Sequence, residues 1–239
     1  SLAGHYKRLE SSVELTDYDK FIFEDFKKGA DAGNLIHELF EFYNFDDSKN
    51  AITSSIERVN QKYSDYLINL DNTDDFKALM QHVLGAKIPG MGGFTLSQLS
   101  NSKKICEMAF HWKSSLDKKE VETLLKEDEV KLKYDFNGYI KGFIDFIFEH
   151  DGKYYILDWK SNHLGSSIED YSQENMNEAM KANNYHLQHY IYKTAFKEYL
   201  KVISPEGTDV ESKWGGVIYS FIRGCREGKE SGMYVYPSR

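Results

Sequence analysis

Apolar residues recur at helical spacing over residues 20–45, where Phe21, Phe26, Leu35, Ile36, Leu39 and Phe40 form a stripe. Gly29 and Gly33 are expected to break this stretch into two pieces. Residues 51–69 and 74–84 predict two more helices, the second opening at Thr73-Asp74. Residues 85–95 read as a glycine-rich loop. The period then shortens. Strands are predicted over 105–112, 130–136, 139–149 and 153–159. Asn137-Gly138 and Asp151-Gly152 separate the last three, and both dipeptides favour two-residue hairpins because those turns need positive φ. Helical spacing returns over 168–181 and 184–201, and 214–222 and 232–236 predict two final strands. The pattern predicts one α/β domain, a mixed central β-sheet flanked by helices, with a helical N-terminal part over about 1–95 and a sheet-bearing part over about 96–239.

The 239 residues suffice for one sizeable core, and no Pro/Gly/Ser-rich linker divides them. No apolar run approaches the roughly 20 residues that cross a bilayer. The opening Ser1-Leu2-Ala3-Gly4-His5 lacks a signal segment and an initiator Met, so the chain reads as a piece of a longer, cytoplasmic protein. Its two cysteines, Cys106 and Cys225, are too few for a disulfide scaffold or a four-cysteine cluster. The net charge of −8 argues weakly against nucleic-acid binding, but binding depends on the local field. Residues 1–50 carry 6 basic and 11 acidic side chains, whereas Lys213, Arg223, Arg226 and Lys229 make a basic strip near the other end. The glycine-rich loop misses the phosphate-loop pattern, since Met91 stands where lysine is required.

The Asp151-Gly152 turn fixes a register. His150 faces Lys153, and Asp145 then lies opposite Asp158 on an apolar ribbon. Two opposed acids repel unless a shared proton or a divalent cation neutralises them. Lys160, two residues on, shares the face of Asp158, and Trp159 points away. Two acids and a lysine on one strand end suit a hard metal and a phosphate together, although a buried Asp–Lys pair would also explain them. On the residues alone, His37 reads as a core histidine and Glu107 as a rim carboxylate. Tyr185, Gln188 and Tyr192 read as one face of an amphipathic helix.

In order, Gly142-Phe-Ile-Asp145-Phe, Tyr154-Tyr-Ile-Leu-Asp158-Trp-Lys160-Ser-Asn162 and Tyr185-x-x-Gln188-x-x-x-Tyr192 resemble the C-terminal nuclease domain of RecB, the helicase–nuclease subunit of bacterial RecBCD (exodeoxyribonuclease V). Gly33-Asn-Leu-Ile-His37, Leu96-Ser-Gln-Leu before Glu107, and Gly215-Gly216-Val-Ile-Tyr219-x-Phe-x-Arg223-Gly224 extend the likeness to roughly residues 29–238. Trp159 stands where the family often has Tyr.

The resemblance implies a restriction-endonuclease-like PD-(D/E)xK fold. It implies a metal set of His37, Glu107, Asp145, Asp158 and the Trp159 carbonyl, with Asp145, Asp158 and Lys160 catalytic. Tyr185, Gln188 and Tyr192 become a helix motif near DNA. It further implies Mg²⁺-dependent exonuclease action on single-stranded DNA, with Mn²⁺ able to substitute and Ca²⁺ binding without turnover. The implied setting is a complex with RecC-like and RecD-like subunits and a helicase region in cis, serving double-strand-break repair and DNA degradation. Two alternatives stand beside this. One is a non-catalytic DNA-binding or docking module of the same fold. The other is a CRISPR-associated or AddB-like nuclease with an iron–sulfur cluster, which needs four cysteine ligands where this chain has two.

Overall fold

A computed structural model describes residues 15–47, 49–63, 73–126, 132 and 136–236. Helix α1 (Asp17–Lys20) opens on a Thr16 cap, whose hydroxyl accepts from the Asp19 N–H, and runs into a π-helical turn, Phe21–Asp25. Helix α2 (Ala30–Glu41) follows, then α3 (Ala51–Tyr63) and α4 (Thr73–Gly85). Gly29, at φ 105°, makes the break before α2. Gly33 does not break it and lies within α2, its N–H bonded to the Gly29 carbonyl at 3.1 Å. A helical glycine costs about 1 kcal/mol, which burial of Ala32, Leu35, Ile36, Leu39 and Phe40 outweighs. Residues 64–69 of the predicted second helix lie outside the described residues. The glycine-rich loop is a structural turn, closed by a bridge between Lys87 and Thr95.

The sheet holds β1 (Lys104–Ser114), β2 (Gly138–His150), β3 (Lys153–Lys160), β4 (Trp214–Phe221) and β5 (Met233–Tyr236), in that spatial order. All neighbours are antiparallel except β3 and β4, so the sheet is mixed. Helices α5 (Lys118–Leu124), α6 (Gln173–Ala182), α7 (Tyr185–Ile203) and α8 (Val210–Lys213) complete the order.

Pairing runs from His150↔Lys153 to Phe146↔Leu157, the predicted register, around a turn with Asp151 at φ 49° and Gly152 at φ 74°. The Asn137-Gly138 hairpin is not formed as predicted. Gly138 is the first residue of β2 and pairs with Ser114, so the partner of β2 is β1. Of the predicted strand 130–136 only Leu132 and Phe136 are described, and neither lies in a strand. Helix α5, which the periodicity did not reveal, starts on a capping box between Asp117 and Glu120.

Helices cover both faces of the sheet. Phe40 of α2 stacks on Trp159 at 4.2 Å, and Phe45 meets Phe146. On the other side, Phe196 of α7 packs edge-on to Tyr154, while Gln188 reaches Asp158 and Lys160. Trp159 and its two neighbours therefore point to opposite faces, as strand alternation requires. Among the described residues no helix is long and apolar enough to cross a membrane.

The predicted basic strip is not an open surface. Arg223 is fully buried and, among the described residues, donates to backbone carbonyls: those of Ser161 (3.1 Å), Phe26 (3.1 Å), Lys27 (2.7 Å) and Ile22. Arg226 pairs with Asp19 at 2.5 Å. Lys213 and Lys229 alone of the four are exposed. The π-helical turn and the chain entering α2 offer carbonyls without helical partners, and a guanidinium fork satisfies several at once.

Candidate metal centre

Pairing of Cys106 with Phe146 and of Met108 with Ile144 brackets Glu107 opposite Asp145. The hairpin register, continued one step past Phe146↔Leu157, sets Asp145 opposite Asp158. Three carboxylates thus form a row across β1, β2 and β3. The ladders are irregular along this row. Glu107 has φ 49°, rare for a side chain in a strand. The Trp159 N–H donates to the Asp145 carboxylate (3.1 Å) in place of a backbone carbonyl. Both irregularities aim side chains at one spot.

His37 reaches that spot from α2. It lies one turn before Phe40 on the same helical face, so the stacking of Phe40 on Trp159 sets its place. Its Nδ1 is 3.5 Å from Asp145 Oδ2, and its ring is within hydrogen-bonding influence of the Trp159 carbonyl. Ligand atoms of His37, Glu107 and Asp145 all lie within 4.8 Å of one another. A nitrogen and carboxylate oxygens at that separation suit one hard or borderline divalent cation.

Electrostatics agree. Burial, and after it the Asp158 charge, push the Asp145 carboxyl well above the usual range, against the pull of the Trp159 N–H and Lys160. Burial and the Glu41 and Asp158 charges raise Glu107. Burial lowers His37 despite the Asp158 charge. Both shifts favour the uncharged forms of His37 and Asp145 at their contact. Such a cluster is short of positive charge and gains from a cation.

Asp158 stands beside the three, 1% exposed, with its carboxylate turned to other partners. The Lys160 ammonium lies 2.5 Å from its Oδ2, and Gln188 Nε2 donates to its Oδ1 at 2.9 Å. The Oδ2 contact is an ion pair off the line of a hydrogen bond. Gln188 Oε1 accepts from Lys160 (2.9 Å), and its amide also donates to the Tyr192 hydroxyl (2.8 Å). One amide thus fixes acid, lysine and phenol together. The ammonium rests 3.9 Å from the Tyr185 ring centre and 5.6 Å from that of Tyr219. Tyr185 donates to Asn162 Oδ1 (3.1 Å), and Tyr219 donates to the Tyr185 carbonyl (3.1 Å).

All predicted site residues meet at one end of the sheet. His37, Glu107 and Asp145 form one group beside the backbone of Trp159, and Asp158, Lys160, Gln188, Tyr185 and Tyr192 form the adjoining one. Two participants were missed. Glu41 raises Glu107 from one turn beyond His37, and the His-x-x-x-Glu spacing was a readable signal for it. Tyr219 lines the lysine site from the interior of the sheet; it stands in the Gly215–Gly224 motif that carries the resemblance, but a tyrosine in an apolar strand does not by itself mark a site residue.

Comparison with known proteins places this geometry. The chain is 30% identical over 235 residues to the RecBCD enzyme subunit RecB of Haemophilus influenzae, covering 95% of this chain and 19% of that protein. It is 34% identical over 224 residues to the RecBCD enzyme subunit RecB of Escherichia coli, covering 88% of this chain and 18% of that one. A shorter stretch of 84 residues is 43% identical to the RecBCD enzyme subunit RecB of Chlamydia pneumoniae. The chain therefore spans about a fifth of the length of these relatives. With residues 8–234 matching the family as a whole, and the acid–lysine centre assembled on a mixed sheet, the chain belongs to the PD-(D/E)XK nuclease superfamily.

Proposed function

We propose that this domain is a divalent-metal-dependent deoxyribonuclease that hydrolyses DNA phosphodiester bonds. The observation that carries the reading is the convergence of His37, Glu107 and Asp145 beside the Asp158–Lys160 pair. The donors fit Mg²⁺, with Mn²⁺ as a substitute. His37, Glu107, Asp145 and the Trp159 carbonyl would hold the ion, with Asp158 closing the set. When bound, the ion supplies Lewis acidity toward a phosphoryl oxygen and lowers the pKa of a water.

The chain's own groups do the rest. The Lys160 ammonium, steadied by Asp158 and Gln188, is placed to donate to a phosphoryl oxygen as negative charge develops on it. Tyr185, Gln188 and Tyr192 act as positioning residues. The similarity to RecB supports exonucleolytic action on single-stranded DNA, within a bacterial cytoplasmic assembly with RecC-like and RecD-like subunits and a helicase region in cis.

The test is cleavage of end-labelled single- and double-stranded DNA with Mg²⁺, beside an Asp158→Ala control. Metal-dependent cutting lost in the control is expected. Cutting in excess EDTA, or by the Asp158→Ala protein, overturns the proposal.

A further inference from the structure

Beyond the row of carboxylates, and among the described residues, β1 and β2 run on together as a two-stranded ribbon, from Met108↔Ile144 to Ser114↔Gly138. Its exposure alternates. Phe110, Trp112, Ile140 and Gly142 are half-buried, whereas Ala109, His111, Lys113, Tyr139, Lys141 and Phe143 are exposed. The exposed six are cross-strand pairs: Ala109↔Phe143, His111↔Lys141 and Lys113↔Tyr139. Tyr139 is 79% and Phe143 59% exposed, unusual for large aromatic side chains. In a chain of net charge −8, these six residues include two lysines, a histidine and no acid. Phe143 is two residues from Asp145 on one continuous strand.

We infer that this ribbon face is a track for single-stranded nucleic acid, delivering the strand to the carboxylate row. The inference rests on the nuclease reading and adds the substrate path. Phe143 and Tyr139 are platforms for unpaired bases, about 13 Å apart by strand rise. Lys141 and Lys113 are diagonal cross-strand neighbours, about 7–8 Å apart, suited to phosphates between those platforms. Aromatic and cationic side chains interleaved in this way bind single strands without reading sequence. A duplex keeps its bases stacked on each other and cannot use the platforms. A protein partner would also cover apolar rings, but the cationic side chains of these cross-strand pairs favour a polyanion.

The test uses the full chain and a fluorescent oligothymidylate, read by anisotropy in EDTA over a salt series. Tyr139→Ala and Phe143→Ala should each weaken binding at least about 5-fold. Tyr139→Phe and Phe143→Trp should retain it. Lys113→Ala and Lys141→Ala should each flatten the log–log salt slope by about 0.7. Val202→Ala, exposed on α7, serves as the surface control. Equal affinity for a duplex of the same length, or unchanged affinity and slope in the ribbon variants, overturns the track and makes the face a protein-docking surface. The nuclease reading fails separately, if wild-type protein binds the oligonucleotide through the ribbon yet cuts no DNA with Mg²⁺ or Mn²⁺.

Discussion

Asp145 shows how one residue can carry a structural cost for a chemical role. It is buried, faces acids on both neighbouring strands, and accepts from the Trp159 N–H. Its folded pKa lies above the unfolded value, so the folded state holds a proton that the unfolded state releases. Its contribution to stability is complete below about pH 4 and is lost as pH rises. Asp145→Asn keeps the acceptor for Trp159 and removes the titration. In EDTA at pH 8 it should be more stable than wild type by on the order of 1–3 kcal/mol, with the gap closing toward pH 4. Urea melts at several pH values measure this, and a gap that widens on acidification refutes it. The variant should also lose the rise in melting temperature that Mn²⁺ gives the wild type. His37 supplies the nitrogen, so His37→Ala should weaken Mn²⁺ more than Mg²⁺. Calorimetric titration of both ions checks the order.

Elements divide into those whose position is set locally and those set by distant packing, and this decides what could be read in advance. The β2–β3 hairpin was legible because Asp151-Gly152 demands one turn geometry and the turn demands one register. That local rule placed Asp145 opposite Asp158. No such rule links β1 to β2. The Asn137-Gly138 signal lost to pairing with Ser114 across an intervening helix, so the place of Glu107 opposite Asp145 could not be read. Arg223 was misread for a related reason, since a cation in a polar run carries no mark of lying inside the fold. It joins the π-helical turn before α2 to Ser161, the residue after Lys160. Arg223→Met leaves at least four carbonyls without this donor and should cost roughly 3–5 kcal/mol, a drop of about 6–20 °C in Tm. A loss under 1 kcal/mol would mean water replaces the guanidinium. Helix α7 acts through Gln188. Gln188→Leu should lower kcat about 10–100-fold with little change in metal affinity, and a pure KM effect would assign Gln188 to DNA contact instead.

At the scale of the whole molecule, two kinds of buried group pull stability in opposite directions with pH. His189 is buried against Tyr236, and burial pushes its folded pKa down to about 3. The unfolded histidine titrates near 6.5, so its contribution is intact above that value and is lost as pH falls from 6.5 toward 3, by up to about 1.4 kcal/mol per unit. His37 is lowered too and adds to the acid side. The raised carboxyls of Asp145 and Glu107 act oppositely, losing stability as pH rises above their unfolded values near 4. Between about pH 4 and 6.5 the two sets offset each other. Above 6.5 the histidines are neutral in both states, and the raised Asp145 carboxyl still acts. The metal-free protein should therefore lose stability from pH 6.5 to 8.5. Excess Ca²⁺, which needs the carboxylates ionised, should flatten or reverse that decline while leaving the acid side nearly unchanged. Thermal melts at pH 5, 6.5 and 8.5, in EDTA and in Ca²⁺, test both limbs. His189→Leu should remove part of the acid limb alone. Stability in EDTA that climbs between pH 6.5 and 8.5 would show that the acids of the row are already neutralised from within the chain, leaving a cation little to do there.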